Sequence, residues 1–124
     1  MRHTILLVDD DPAHLQIYAG VLKQAGYRPI TALIGKSGVS FPEHEIPTLV
    51  LMDYRFNSGL GPRDIASLIR GRYPQATLIL LSSLPDLPAD MGDLVHGFIQ
   101  KRDPEYVLAA VQVWLQRSAA ANKS

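Results

Sequence analysis

Acids, hydroxyls and one ammonium fall where the short apolar runs of this chain end. Ile5-Leu6-Leu7-Val8 runs into Asp9, Asp10 and Asp11, and Leu49-Val50-Leu51-Met52 runs into Asp53. The run from Ala76 to Leu81 meets Ser82 and Ser83, and Gly97-Phe98-Ile99-Gln100 meets Lys101. Gathered at one edge, these are the parts of a phosphoryl-transfer site. A carboxylate can act as nucleophile, a few carboxylates can hold Mg²⁺ against phosphoryl oxygens, and a lysine can neutralise a further oxygen. Adjacent carboxylates at the mouth of a buried strand repel each other and call for a cation, a proton or solvent. On Asp9 and Asp10 alone, the alternative that both point into water from a loop stays open. Asp11 has a structural role instead, because Asp-Pro starts a helix with the acid as N-cap and Pro12 at the first helical position. No helix-borne His pair, Ser-His-Asp order or phosphate-cradling glycine loop competes with this set.

The elements that must position these groups follow from periodicity. Apolar runs without polar alternation, each closed by turn-forming residues, predict strands buried on both faces. Leu15, Tyr18, Leu22 and Ala25 recur at helical spacing, with Gly26 placed to end that helix. Arg28 to Leu33 reads as a strand, and Pro29 assigns it to a sheet edge because proline cannot donate to a ladder. Gly35 to Glu45 is a poor helix at best. Pro62 opens a helix that carries Ile65, Leu68 and Ile69 on one face and closes at Tyr73-Pro74. From Leu84 to His96, Pro85, Pro88 and Gly92 leave room only for a short or irregular helix. Asp103-Pro104 starts a last helix lined by Val107, Leu108, Val111, Trp114 and Leu115. One domain over residues 1–118 is expected, followed by a flexible tail over 119–124. Strands alternating with helices predict an α/β, doubly wound parallel sheet, whose ligands sit beyond the carboxyl ends of the strands.

Composition narrows the classes. The 124 residues suit a single domain, 47% of them are apolar, and 12 basic residues balance 12 acidic ones. Neither disorder nor a nucleic-acid surface is indicated, and any charge that matters is local. There is no cysteine, which excludes disulfides and thiol chemistry. The apolar run after Met1-Arg2-His3 is too short for a secretory signal or a membrane span, so a cytoplasmic protein without membrane or nucleic-acid partners is expected.

On these residues the chain resembles the receiver domain of two-component response regulators (the CheY-like superfamily), and the likeness runs over most of its length. The acidic pair after the first strand matches Asp9 and Asp10, and the phosphoacceptor strand matches Leu49 to Asp53. The Ser/Thr of strand four falls on Ser82, with Ser83 as the small residue after it. The site lysine falls on Lys101, and the switch aromatic three residues earlier falls on Phe98.

The resemblance implies a flavodoxin-like, five-stranded parallel sheet of order 2-1-3-4-5 with a short fourth helix. It also implies that Asp53 takes a phosphoryl group from a phosphohistidine of a histidine kinase or phosphotransfer protein. Asp10, Asp53 and the backbone carbonyl of Arg55 would hold Mg²⁺ (or Mn²⁺), with Asp9 on a metal water or one shell out. Ser82 and Lys101 would grip phosphoryl oxygens, and Phe98 would turn inward as Ser82 moves; Phe98 reads equally well as a packed core aromatic. An effector or a homodimer would use the face of the fourth helix, fifth strand and fifth helix.

The chain also departs from the family pattern. Phe56-Asn57 stands where Met-Pro is usual, Arg102 stands where a proline commonly follows the lysine, and the interval from Ser82 to Phe98 is short. Arg55 is placed either to reach over the phosphoryl group and shield it from water, which predicts slow hydrolysis, or to pair with the neighbouring acids. Tyr106 and Val113 project from the last helix either as a partner surface or as scattered exposed residues. The competing readings are a phosphorylation-independent interaction module and a small Mg²⁺-dependent phosphatase. A flavin carrier would want a phosphate-binding loop in place of the acids.

Overall fold

The computed structural model describes residues 3–55 and 59–122, the side chains of 118–122 excepted. Strand β1 (Thr4–Asp9) is buried from Ile5 to Asp9, as a run without polar alternation requires. The Asp11 carboxylate then accepts the Ala13 N–H at 2.9 Å and caps α1 (Pro12–Gln24), with Pro12 at its first position. Gly26, at φ +95°, reverses the chain just beyond the helix.

Strand β2 (Arg28–Gly35) pairs in parallel with β1 and is followed by a two-residue strand, β3 (Gly38–Val39). After the loop over 40–48 come β4 (Leu49–Asp53), α2 (Pro62–Arg72) and β5 (Thr77–Ser82). A single 3₁₀ turn (Ala89–Met91) precedes β6 (Gly97–Gln100), and α3 (Pro104–Asn122) closes the chain. The sheet order is β3-β2-β1-β4-β5-β6.

The five parallel strands keep the predicted winding; β3 is the correction to it. The chain turns back at Lys36-Ser37 and pairs Val39 with Ile34 and Gly38 with Gly35, antiparallel, so a hairpin forms where a poor helix was predicted. Gly38 sits at φ +148°, a conformation that favours glycine. Because β3 reaches only Ile34 and Gly35, the segment around Pro29 lies on an edge, as its proline predicts. The predicted short fourth helix is the 3₁₀ turn. The last helix continues through 119–122, where a tail was expected, since Ala119-Ala120-Ala121 are strong helix formers.

The sheet divides the core in two. On one face Ile5, Leu7, Leu49, Leu51, Ile79, Leu81 and Ile99 pack against Leu15 and Leu22 of α1 and Val107, Val111 and Leu115 of α3. On the other, Leu6, Val8, Val50, Met52, Leu78 and Leu80 pack against Ile65, Ala66 and Ile69 of α2, with Tyr73, Met91 and Val95. No described helix is long and apolar enough to cross a membrane.

Candidate functional site

Parallel strands bring their carboxyl ends to one rim, so Asp9 and Asp10 after β1, Asp53 at the end of β4, Ser82 at the end of β5 and Lys101 after β6 converge there. Carboxylate oxygens of Asp9, Asp10 and Asp53 lie within 4.8 Å of one another. Asp9 and Asp53 are nearly sealed, at 4% and 5% exposed, while Asp10 is half-buried. The Lys101 ammonium donates to Asp53 Oδ1 at 3.0 Å. The Lys101 backbone N–H also donates to the Ser82 carbonyl, at 2.6 Å, which ties the two rim positions together.

The electrostatics follow from burial. Burial, the Asp53 charge and the bond shared with Asp10 push the Asp9 carboxyl up to about 6. Burial also raises Asp53, against the pull of Lys101. Burial alone would lower Lys101, but its bond to Asp53 and the charges of Asp53 and Asp9 carry it above the usual lysine range. Three clustered carboxyls beside one ammonium make a site with more acid groups than that ammonium neutralises. Three closely spaced carboxylates form a hard oxygen donor set, and the opposite ligands of an ion bound at ~2.1 Å are about 4.2 Å apart, so the cluster fits Mg²⁺ or Mn²⁺.

Other candidates are placed less simply. Ser82, 3% exposed, turns its Oγ to accept the Leu84 N–H at 3.1 Å, and Ser83 is exposed. Arg55 is exposed beside the rim; Phe56 and Asn57 lie outside the described residues. Phe98 is half-buried and packs on the α2 face. Arg102 stacks on Tyr106 with its guanidinium 4.9 Å from the ring centre, so Tyr106 is partly covered, whereas Val113 is open.

His14 joins the site as well, outside the residues expected from the sequence. Its Nδ1 lies 3.4 Å from Asp9 Oδ2 and its Nε2 lies 3.6 Å from Asp11 Oδ2. Three residues after the Asp11 cap, it stands on the first turn of α1, beside the acids, and that spacing is the signal the sequence holds for it. One turn on, Tyr18 reaches the same corner, where burial raises its hydroxyl and Lys101 pulls it back. A cavity of about 490 Å³ is lined by His44, Glu45, Ile46, Arg72 and Tyr73 at the opposite end of the sheet, away from Asp9, Asp10 and Asp53.

No family model matches the chain. The transcriptional regulatory protein GlrR of Escherichia coli (strain K12) is 31% identical over 120 residues, covering 94% of this chain and 27% of that protein. The chain therefore spans about a quarter of the length of that relative. Among solved structures, a CheY-like response regulator receiver domain from Methanospirillum hungatei superposes with a TM-score of 0.77 at 20% identity, covering 98% of this chain and 99% of that one. The response regulator DrrB of Thermotoga maritima gives a TM-score of 0.71 at 29% identity, covering 94% of this chain and 54% of that one. With sequence relatives among response regulators and the fold of their receiver domains over nearly its whole length, the chain is similar to response-regulator receiver domains and has their fold.

Proposed function

We propose that this domain accepts a phosphoryl group on Asp53 from a phosphohistidine of a histidine kinase or histidine phosphotransfer protein, in the cytoplasm and with Mg²⁺ or Mn²⁺. One observation carries the proposal: a sealed carboxylate has two further carboxylates within 4.8 Å and an ammonium at 3.0 Å. Asp10, Asp53 and the Arg55 carbonyl would hold the ion, with Asp9 one shell out. When bound, the ion offsets charge on the acids and on the incoming phosphoryl oxygens.

The remaining work belongs to this chain. An Asp53 oxygen attacks phosphorus in line with the P–N bond; the O–P bond forms as the P–N bond breaks, and the electron pair leaves on the imidazole nitrogen. Lys101 turns from Asp53 Oδ1 to a phosphoryl oxygen, and Ser82 gives up the Leu84 N–H to donate its hydroxyl to another. Catalysis here is positioning and charge neutralisation, with no turnover of an external substrate. Movement of Ser82 makes room for Phe98 to turn inward, which passes the change to β6 and α3 as the effector or homodimer face. Arg55, exposed at the rim, shields the aspartyl phosphate from water.

The test is incubation with acetyl phosphate and Mg²⁺, read by intact mass. Wild type is expected to gain one phosphoryl group, and Asp53→Asn and metal-free protein none. No gain in wild type would point to a phosphorylation-independent interaction module, and continuing hydrolysis of an added phosphoester to a phosphatase.

A further inference from the structure

The stretch from Ser83 to His96 has one 3₁₀ turn of its own, and most of what fixes it comes from outside. Met91 and Val95 are buried in the α2-face core. The polar hold comes from α2, from the residue after Asp53 and, at His96, from Leu78 of β5. Arg63 forks onto both carboxylate oxygens of Asp93, at 2.7 and 2.9 Å, and its Nη1 also donates to the Asp90 carbonyl. Arg70, two turns along the same helix, donates to the Leu94 carbonyl at 3.1 Å. The Tyr54 hydroxyl donates to the Asp90 carboxylate at 3.3 Å. At its start the stretch is bonded to Ser82, through the Leu84 N–H, and at its end it leads within two residues to Phe98.

We propose that the Arg63–Asp93 fork is an autoinhibitory latch, which holds this stretch in the arrangement that keeps Ser82 turned to Leu84 and so opposes capture of a phosphoryl group at Asp53. The inference rests on the function proposed above, in which Ser82 must leave Leu84. The fork is exposed and adds little to global stability. A planar guanidinium held at two oxygens nevertheless fixes position, which is what a stretch without a ladder of its own lacks. By linkage, a contact made only in the resting arrangement lowers affinity for a phosphoryl ligand by the factor with which it favours that arrangement.

The test titrates beryllofluoride, a phosphoryl mimic, into the full chain at saturating Mg²⁺ and follows bound fluoride by ¹⁹F NMR. Arg63→Ala and Asp93→Asn should each bind up to about fivefold tighter than wild type, the equivalent of an exposed ion pair. The double variant should bind no tighter than either single one, since each cuts the same contact. Arg63→Lys keeps the charge and loses the fork, so it should behave like Arg63→Ala. Unchanged affinity in both single variants, additive gains in the double one, or wild-type affinity in Arg63→Lys would overturn the latch.

If wild type does not bind beryllofluoride, the proposed function fails and the latch is judged separately by amide exchange. The Leu94 and Val95 amides, both bonded to the Met91 carbonyl, should then exchange about fivefold faster in Arg63→Ala, with β4 unchanged. Equal exchange would overturn it.

Discussion

The two faces of the sheet are covered by different means. One carries α1 and α3, each with its own hydrogen-bond ladder and a stripe of Leu and Val laid on the strands. The other carries, among the described residues, a single α-helix, α2, flanked by a hairpin and two irregular stretches that depend on individual ties. The Gly59 N–H donates to the Lys36 carbonyl at 2.9 Å, Phe41 meets Tyr73 edge-on with centroids 5.8 Å apart, and His96 Nδ1 accepts the Leu78 N–H at 2.9 Å. Helical cover is cooperative, whereas tied cover yields piece by piece. The tied face is also the one that holds Phe98 and the chain leaving Ser82. The compliant side of the molecule is thus the side where a switch would move.

The largest expected effect breaks this contrast if it is wrong. Ile65→Ala, at a fully buried position of the lone helix, should cost about 3 kcal/mol in urea unfolding and speed amide exchange at Leu94 and Val95 below the global unfolding limit. Leu115→Ala should cost about as much and leave those two amides tied to global unfolding. Equal acceleration in both variants would mean that the faces are not independent.

A somewhat smaller effect tests the helical side. A Cβ on Gly97 would stand 2.3 Å from the Trp114 ring, so Gly97→Ala should cost about 2 kcal/mol, and Trp114→Leu should recover part of that loss. A neutral Gly97→Ala would show that α3 lifts off β6 freely.

The smallest effect concerns pH on the tied side. Burial and Arg70 lower His96 below its ordinary 6.5, and its Nδ1 accepts a bond only while the ring is neutral. The folded state therefore binds the proton less well than the unfolded one. His96 contributes fully above about pH 6.5, and that contribution is lost as pH falls through the lower folded value. His96→Leu should cost about 1 kcal/mol at pH 8 and flatten the acid side of the stability curve. An unchanged slope would remove His96 from the account.

The helical face was the more legible one in the sequence. Asp11-Pro12 and Asp103-Pro104 mark helix starts by capping chemistry, and Asp103 does accept the Tyr106 N–H, at 2.9 Å. The rim was legible too, because buried parallel strands are continuous apolar runs and whatever follows each of them lands at the same edge. The hairpin at Gly38 was not, since two paired residues carry no periodicity and owe their place to a turn. Nor were the ties from Arg63, Arg70 and His96, which join residues 18 to 30 apart in sequence and leave no pattern in the local spacing. His14 was legible and overlooked.

Trp114, the single indole in the chain, rests on the glycine next to Phe98 and is stacked from outside by Arg117, 5.1 Å from the ring centre. The domain therefore carries its own fluorophore at the contact between sheet and terminal helix. A displacement of β6 that parted Gly97 from that ring would change its surroundings, so its emission is the natural signal by which to follow the strand without a dye or a label.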